Sequence, residues 1–472
     1  MRAFNQDTRR WEYTDRLGYD GSAWLDVMRG DQDNAVQLTS MFDHEAGQYL
    51  GKGTILQRDI TNMPVHPDSG KMSEWMDRWS PFGPSGGWAL GGDKTGLNTS
   101  SFGTQPIHAY VVDSTHPDCY FQNLDATAAS TPTEEIDLYM KGKFPFPSWA
   151  TGARNGDYGC AIYDKGTGIM REVFMFRRKT DAQGNEILDS WGGGGGYSIA
   201  SPGLKNLATE NYALQQRRGI SNVAGMHNSL GFIGISEVLN KKIEHALCFT
   251  AATSWSVAWT PEELLAERRA ILASGKSMPT NWPNQQSHGH RFSWPARAGD
   301  GKAERYIPES TWTLAGGQSK TYTGQNLHIT PMHGQWGRLP KSVDPWFNPR
   351  TGRPYYPLTR LLIEAAQNYG LTPTDTNLFI PAFNAEQGRT WEHMYGADPW
   401  KADGLIDRFL RDPWQASPGS GIAVGDFPWH LVEWATEDWG RPSPDWNIRP
   451  GEWKPWWSPT DPRRPEAASR YY

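Results

Sequence analysis

The sequence predicts a mainly β protein: a β-sandwich (jelly-roll-like) core, two or three short helices, and long irregular extensions at both ends. Three observations predict it. Gly (50) and Pro (34) are both enriched over 472 residues, which favours turns over long helices. The apolar runs are short and rich in β-branched and aromatic residues. Trp is the outlier, with 24 against 18 Tyr and 17 Phe. Hydrophobic residues make up 37% and mean hydropathy is −0.66, so the chain is polar yet long enough to bury a core.

The strands come from runs at Pro106–Val112, Cys160–Tyr163, Glu172–Phe176, Ile243–Ala252 and Asn377–Phe383. The stretch from Asp164 to Gly168 has turn chemistry, so residues 160–176 read as a hairpin. Two helices have clear signals. Thr260, Pro261 and Glu263 form a capping box, Leu264, Leu265, Ile271 and Leu272 line one face, and Gly275 supplies a left-handed stop. Leu358, Leu361, Leu362, Ala365, Ala366 and Tyr369 follow helical spacing up to Gly370. A third, weaker helix runs through Leu405, Ile406, Phe409 and Leu410.

Composition divides the chain into an irregular region (1–104), a β-sandwich core (105–385), a linker with a short helix (386–420) and a Trp/Pro-rich segment (421–472). The last holds Trp429, Trp434, Trp439, Trp446, Trp453, Trp456 and Trp457. Its prolines defeat helices and long strands. The expectation is an extended assembly arm whose Trp side chains dock on a surface, its own or a neighbour's.

Charge and motifs exclude several functions. With 46 Lys+Arg against 52 Asp+Glu, the net charge is −6, which leaves no broad basic surface for nucleic acid. No apolar run reaches the ~18 residues of a membrane span. The N-terminal stretch lacks an apolar h-region, which predicts no secretion signal. Cys119, Cys160 and Cys248 form no CxxC and read as buried thiols. Gly192–Gly196 and the GGDKTG at 91–96 both miss the phosphate-loop pattern and read as flexible loops. His288, His290, His328 and His333 invite a metal, but HExxH and Cys pairs are lacking. No metal or other cofactor is expected.

Acid/base chemistry on glycosides needs two carboxylates ~5–9.5 Å apart. Asp164, Glu172, Glu237 and Glu244 flank predicted strands and are the candidates. No GxSxG is present, and Ser236 and Ser293 lack a nucleophile's local signature. Trp faces stack on the C–H faces of sugars, so a Trp-rich, weakly acidic β protein suits glycan contact. The same side chains fill cores and subunit contacts.

An ordered series of segments carries a resemblance. It runs through IHAYVVDSTHPD (107–118), CAIYDKGTGIMREVF (160–174), SIASPGLKNL (198–207) and VAGMHNSLGFIGISEVLNKKIEHALCFTAA (223–252). It continues through FSWPARAGDG (292–301), YIPESTWTL (306–314) and YPLTRLLIEAAQNYGL (356–371). In that order these resemble a little-characterised family of actinobacterial extracellular β proteins, and the actinobacteriophage minor tail proteins that share the module. Order and spacing carry the likeness, over about 60% of the chain.

The positions the resemblance marks are Asp164, Glu172, Glu237, His245, Trp294 and Glu364. They outline a cleft, with Trp294 as a binding candidate and Asp164, Glu172, Glu237 and His245 as the catalytic candidates. The same residues also suit structural roles, with Glu172 and Glu237 capping turns and His245 satisfied in the core. Where cellular members carry a Ser-Ala-Asp-Ala-Ala-Gly stretch leading into Leu-Pro, this chain reads GMHNSLG at 225–231. The missing Asp favours the phage branch.

The resemblance implies a virion tail-tip protein and leans away from an enzyme. Its partners would be other tail proteins, further copies of itself in a symmetric tail and host cell-wall glycan. One alternative is a carbohydrate-active enzyme using two of Asp164, Glu172 and Glu237; another is a purely structural tail adaptor.

Overall fold

In the computed structural model, the described residues are 54–78, 95–99, most of 222–299, 330–376, most of 381–411 and 421–441. To these are added strand segments within 2–200 and 310–322 and the turn at 182–183. The body is organised around a mixed six-stranded sheet with a few helices, compatible with a mainly β protein. Its strands are β1 (Gly96–Asn98), β2 (Leu247–Ala251), β3 (Gly337–Arg338), β4 (Leu371–Thr376), β5 (Ala382–Asn384) and β6 (Glu433–Trp434). The spatial order is β6-β3-β4-β2-β5-β1. β2 runs parallel to β4 and antiparallel to β5, and β5 runs parallel to β1.

β2 is buried along its whole length, so it lies in the middle and reads as a continuous apolar run. Strand alternation splits its neighbourhood in two. Leu247, Phe249 and Ala251 join the main apolar cluster, while Ala246 and Cys248 join a second one with Trp294 and Trp336.

The helices are α1 (Ser69–Arg78), α2 (Ile235–Leu239), α3 (Pro261–Ala273), α4 (Pro357–Asn368) and α5 (Leu405–Leu410). α3, α4 and α5 fall where periodicity predicts them. Gly275 and Gly370 hold positive φ (75° and 86°) at the ends of α3 and α4, a conformation that costs glycine little. Tyr356 offers α4 no side-chain cap. Asp426 supplies it from afar, accepting from the Tyr356 N–H (2.8 Å) and the Thr359 hydroxyl (2.6 Å).

The C-terminal Trp residues differ from expectation. Trp429 and Trp434 dock on the chain's own body, and they do so as core residues rather than on its surface. Trp429 lies against Phe249, Phe383 and Phe427, with centroids 4.8–5.4 Å apart. Trp434 belongs to edge strand β6, and Ser69 and Ser73 of α1 accept from its backbone N–H (2.8 Å) and its Nε1–H (3.1 Å). Trp439 is half-buried, and Trp446, Trp453, Trp456 and Trp457 lie outside the described residues. The physical reason is closure: the sheet's edge strands are β1 and β6, from the two supposed extensions. One sheet therefore spans the expected boundaries at 105 and 385.

The strand at Glu172–Phe176 forms instead at Ile169–Val173, paired antiparallel with Gly159–Asp164 as the hairpin reading requires. Of Asn377–Phe383, residues 377–380 lie outside the described residues, and β5 begins at Ala382. Cys160 and Cys248 carry buried thiols. Cys119 falls on the strand Asp118–Asn123.

Candidate functional site

Of the residues singled out from sequence, Glu237 and His245 come together. The fold builds this meeting locally. Gly234 begins α2, and Glu237, three residues on, turns back so that its Oε2 accepts from the Gly234 N–H at 2.8 Å. The chain leaves α2 through Asn240 and Lys241 (φ 53°) and returns His245 to the same carboxylate. His245 Nε2 lies 3.1 Å from Glu237 Oε1 and 3.2 Å from Oε2. Its Nδ1 faces the Ala246 carbonyl at 2.9 Å.

Both ring nitrogens thus face acceptors, an arrangement that favours the doubly protonated imidazolium. Burial opposes that charge. The Glu237 carboxylate, with the bonds to Glu237 and Ala246, outweighs it and raises the His245 pKa above the ordinary histidine value. Each residue is 1% exposed. The pair is sealed from solvent, and its chemistry is that of a brace that ties α2 to the start of β2.

A second buried carboxylate sits at the same helix. Glu386 Oε2 accepts from the Ile235 N–H at 2.8 Å, next to the amide held by Glu237. Its backbone carbonyl accepts from Trp400 Nε1 at 2.7 Å. Sequence reasoning passes over Glu386 because it stands in an irregular stretch without periodicity.

The other candidates disperse. Asp164 pairs with Ile169 and Glu172 with Ala161. The two positions are three rungs apart, about 10 Å along the ladder. Glu244 binds Lys242 at the surface (2.8 Å). Ser236 is buried in α2 and Ser293 in the second apolar cluster's wall; the Ser293 hydroxyl accepts from the Asp438 N–H (2.9 Å). Glu364 is half-buried on α4, where burial raises its pKa. His288, His290 and His328 lie outside the described residues. His333 is fully buried, and burial drives its pKa down to about 3. No group of three or more His, Cys, Asp or Glu positioned for a metal occurs among the described residues.

Trp294 is buried, and its backbone N–H donates to Asp438 Oδ1 at 2.8 Å. It forms one wall of a box around Arg58. The guanidinium carbon lies 3.5 Å from the Trp439 ring centroid, 5.2 Å from Trp294 and 5.4 Å from Trp336. Arg58 also donates to the Trp439 carbonyl (3.1 Å), and burial lowers its pKa to about 9. The cation–π box fixes the segment after β6 onto the second apolar cluster. Trp294 therefore touches protein, with the cation supplied by the chain itself.

One surface feature escaped the sequence reading. Trp346 and Phe347 are 55% and 48% exposed, in the loop DPWFNPRTG between β3 and α4. An aromatic pair between Pro345 and Pro349 was the available signal, since loops carry function on rigid scaffolds.

No helix among the described residues is long and apolar enough to cross a membrane. No family model, curated protein or solved structure matches the chain.

Proposed function

We propose that the chain is a minor tail protein of an actinobacteriophage. It would be built into the tail tip in several copies, bracing neighbouring tail proteins and touching the host envelope. The ordered segments described above support this reading. The observation that carries it against the enzymatic alternative is the burial of Glu237 and His245. A carboxylate and imidazole at 1% exposure, both bonded to backbone, hold structure and meet no substrate.

The proposed β-sandwich core spans 105–385, and within it the segments at 107–200 carry most of the strands outside the central sheet. Their strands make two four-stranded sheets, one from the segments 107–112, 159–164, 169–173 and 199–200, the other from 118–123, 142–145, 177–180 and 186–193. We infer that these two sheets pack face to face. Each contains one parallel pair, a departure from a purely antiparallel roll.

The test is labelling of this polypeptide in purified particles. Signal at the tail tip is expected, and absence from the tail overturns the reading. Sugar release from host envelopes by the isolated protein, lost in Glu172→Gln with folding intact, would move the assignment to the hydrolase.

A further inference from the structure

We propose that the loop carrying Trp346 and Phe347 is a carbohydrate-binding platform that stacks on one sugar ring. This deepens the tail-tip reading and rests on it only for the biological source of the glycan.

The loop is built to hold its aromatics out. Asp344 Oδ1 accepts from the Trp346 N–H at 2.8 Å, which fixes the entry turn. Asn348, buried beneath, accepts from the Arg350 N–H at 3.0 Å and pairs with Arg353 across the loop neck (2.8 Å from the Asn348 N–H to the Arg353 carbonyl). Arg350 clamps the loop to α1 with two parallel bonds to Asp77 (2.9 and 2.8 Å). The Arg360 guanidinium covers one face of the Trp346 indole, 4.6 Å from its centroid, and more than half of the residue stays exposed. The platform is ordered before any ligand arrives, so little conformational freedom is lost on binding.

Size decides the occupant. Half-exposed Trp and Phe side chains offer about 200 Å² of apolar surface. A stable protein contact buries about 800 Å² on each partner. One indole face matches the C–H face of one pyranose or furanose ring. The surrounding exposed groups, Asp344, Thr351 and Arg353, are the donors and acceptors that hydroxyls require. Among the Trp residues whose burial is described, the others are buried or half-buried.

Affinity electrophoresis of the full chain through gels holding soluble mannan, galactan, glucan or arabinan tests the site, with sedimentation in parallel. At least one polymer is expected to retard the wild type. Trp346→Ala should weaken that retardation by about tenfold, and Trp346→Phe, which keeps a stacking face, should fall between. Retardation by none of the polymers, or equal retardation of wild type and Trp346→Ala, overturns the proposal. A change of sedimentation in Trp346→Ala also overturns it, by making the patch an interface between copies. Each readout uses the isolated protein, so it stands apart from tail localisation, which fails or holds on particles alone.

Discussion

Trp429 and Trp346 show the same residue type in opposite service. Trp429 stacks on Phe383 (5.4 Å, 11°) and gives its Nε1–H to Thr95 at 2.7 Å, deep where the two ends of the described body meet. Trp346 stands on a clamped loop, exposed beyond half its surface. The difference teaches that most Trp residues of described burial serve as volume. Short strands with few ladder bonds, such as the two-residue β3 and β6, need large side chains across them to close a core. Among the described residues, the large aromatic side chains that stay exposed are Trp346 and Phe347, on one loop.

Truncation of the interior gives the largest effect. Trp429→Ala opens a cavity against three aromatic rings and leaves Thr95 without its donor, at a cost of about 3–5 kcal/mol. Urea unfolding measures it. A loss below ~1 kcal/mol would mean that the C-terminal segment is a dispensable arm after all.

Removing the buried charge comes next. Glu237→Gln keeps an oxygen for the Gly234 N–H but strips the imidazolium of its counter-charge, costing about 3 kcal/mol. The pH dependence has a definite sign. His245 holds its proton more tightly folded than unfolded, so its contribution is complete below about pH 6.5 and is lost as pH rises through the raised value. Glu237→Gln should flatten that alkaline limb. An unchanged limb in the variant would show that the pair is not ionised.

His333 carries the reverse sign. Its folded pKa lies near 3, so the unfolded chain binds a proton that the native state refuses. Stability present above about pH 6.5 falls on acidification, by about 2 kcal/mol at pH 5. The contrast has a local cause: His245 faces a carboxylate, whereas for His333 burial outweighs the hydrogen bond to the Asp375 backbone. His333→Gln should lose this acid slope. Parallel slopes from pH 7 to 5 in variant and wild type would contradict it. The exposed loop contains no histidine, so neither limb should respond to changes there.

Legibility followed local signal strength. The helices at 261–273, 357–368 and 405–410 declare themselves by spacing and stops, and the hairpin at 159–173 by its turn. Of the central sheet, β2 falls inside the strand read at Ile243–Ala252 and the start of β5 overlaps the one read at Asn377–Phe383, but the remaining strands gave no signal. β1, β3 and β6 have two or three residues each, too few to show alternation. β4 carries Pro373, which argues against a central strand until the irregular register beside Phe249 and Thr250 accommodates it. Sequence marked Glu237 and His245 separately, with a satisfied core histidine as one reading of the latter, and did not reveal that the two meet. Every residue of α2 is buried, and nothing in a five-residue helix signals that. Of the arm expected at 421–472, the described part (421–441) docks Trp429 and Trp434 on the chain's own core, as one branch of the expectation had it, but does so through a two-residue edge strand that proline spacing does not forbid.

The smallest effect closes the comparison. Trp346→Ala removes a side chain that holds no core volume and whose ring contact is Arg360, itself anchored to the Tyr355 carbonyl at 3.0 Å. The loop keeps its turn at Asp344 and its clamp from Arg350 to Asp77. Stability should therefore stay within ~0.5 kcal/mol of wild type, measured under the same urea conditions as Trp429→Ala. A loss comparable to the interior variant would mean that the indole braces α4 through Arg360. The exposed and buried Trp residues would then share one role, and the distinction drawn between the two regions would fall.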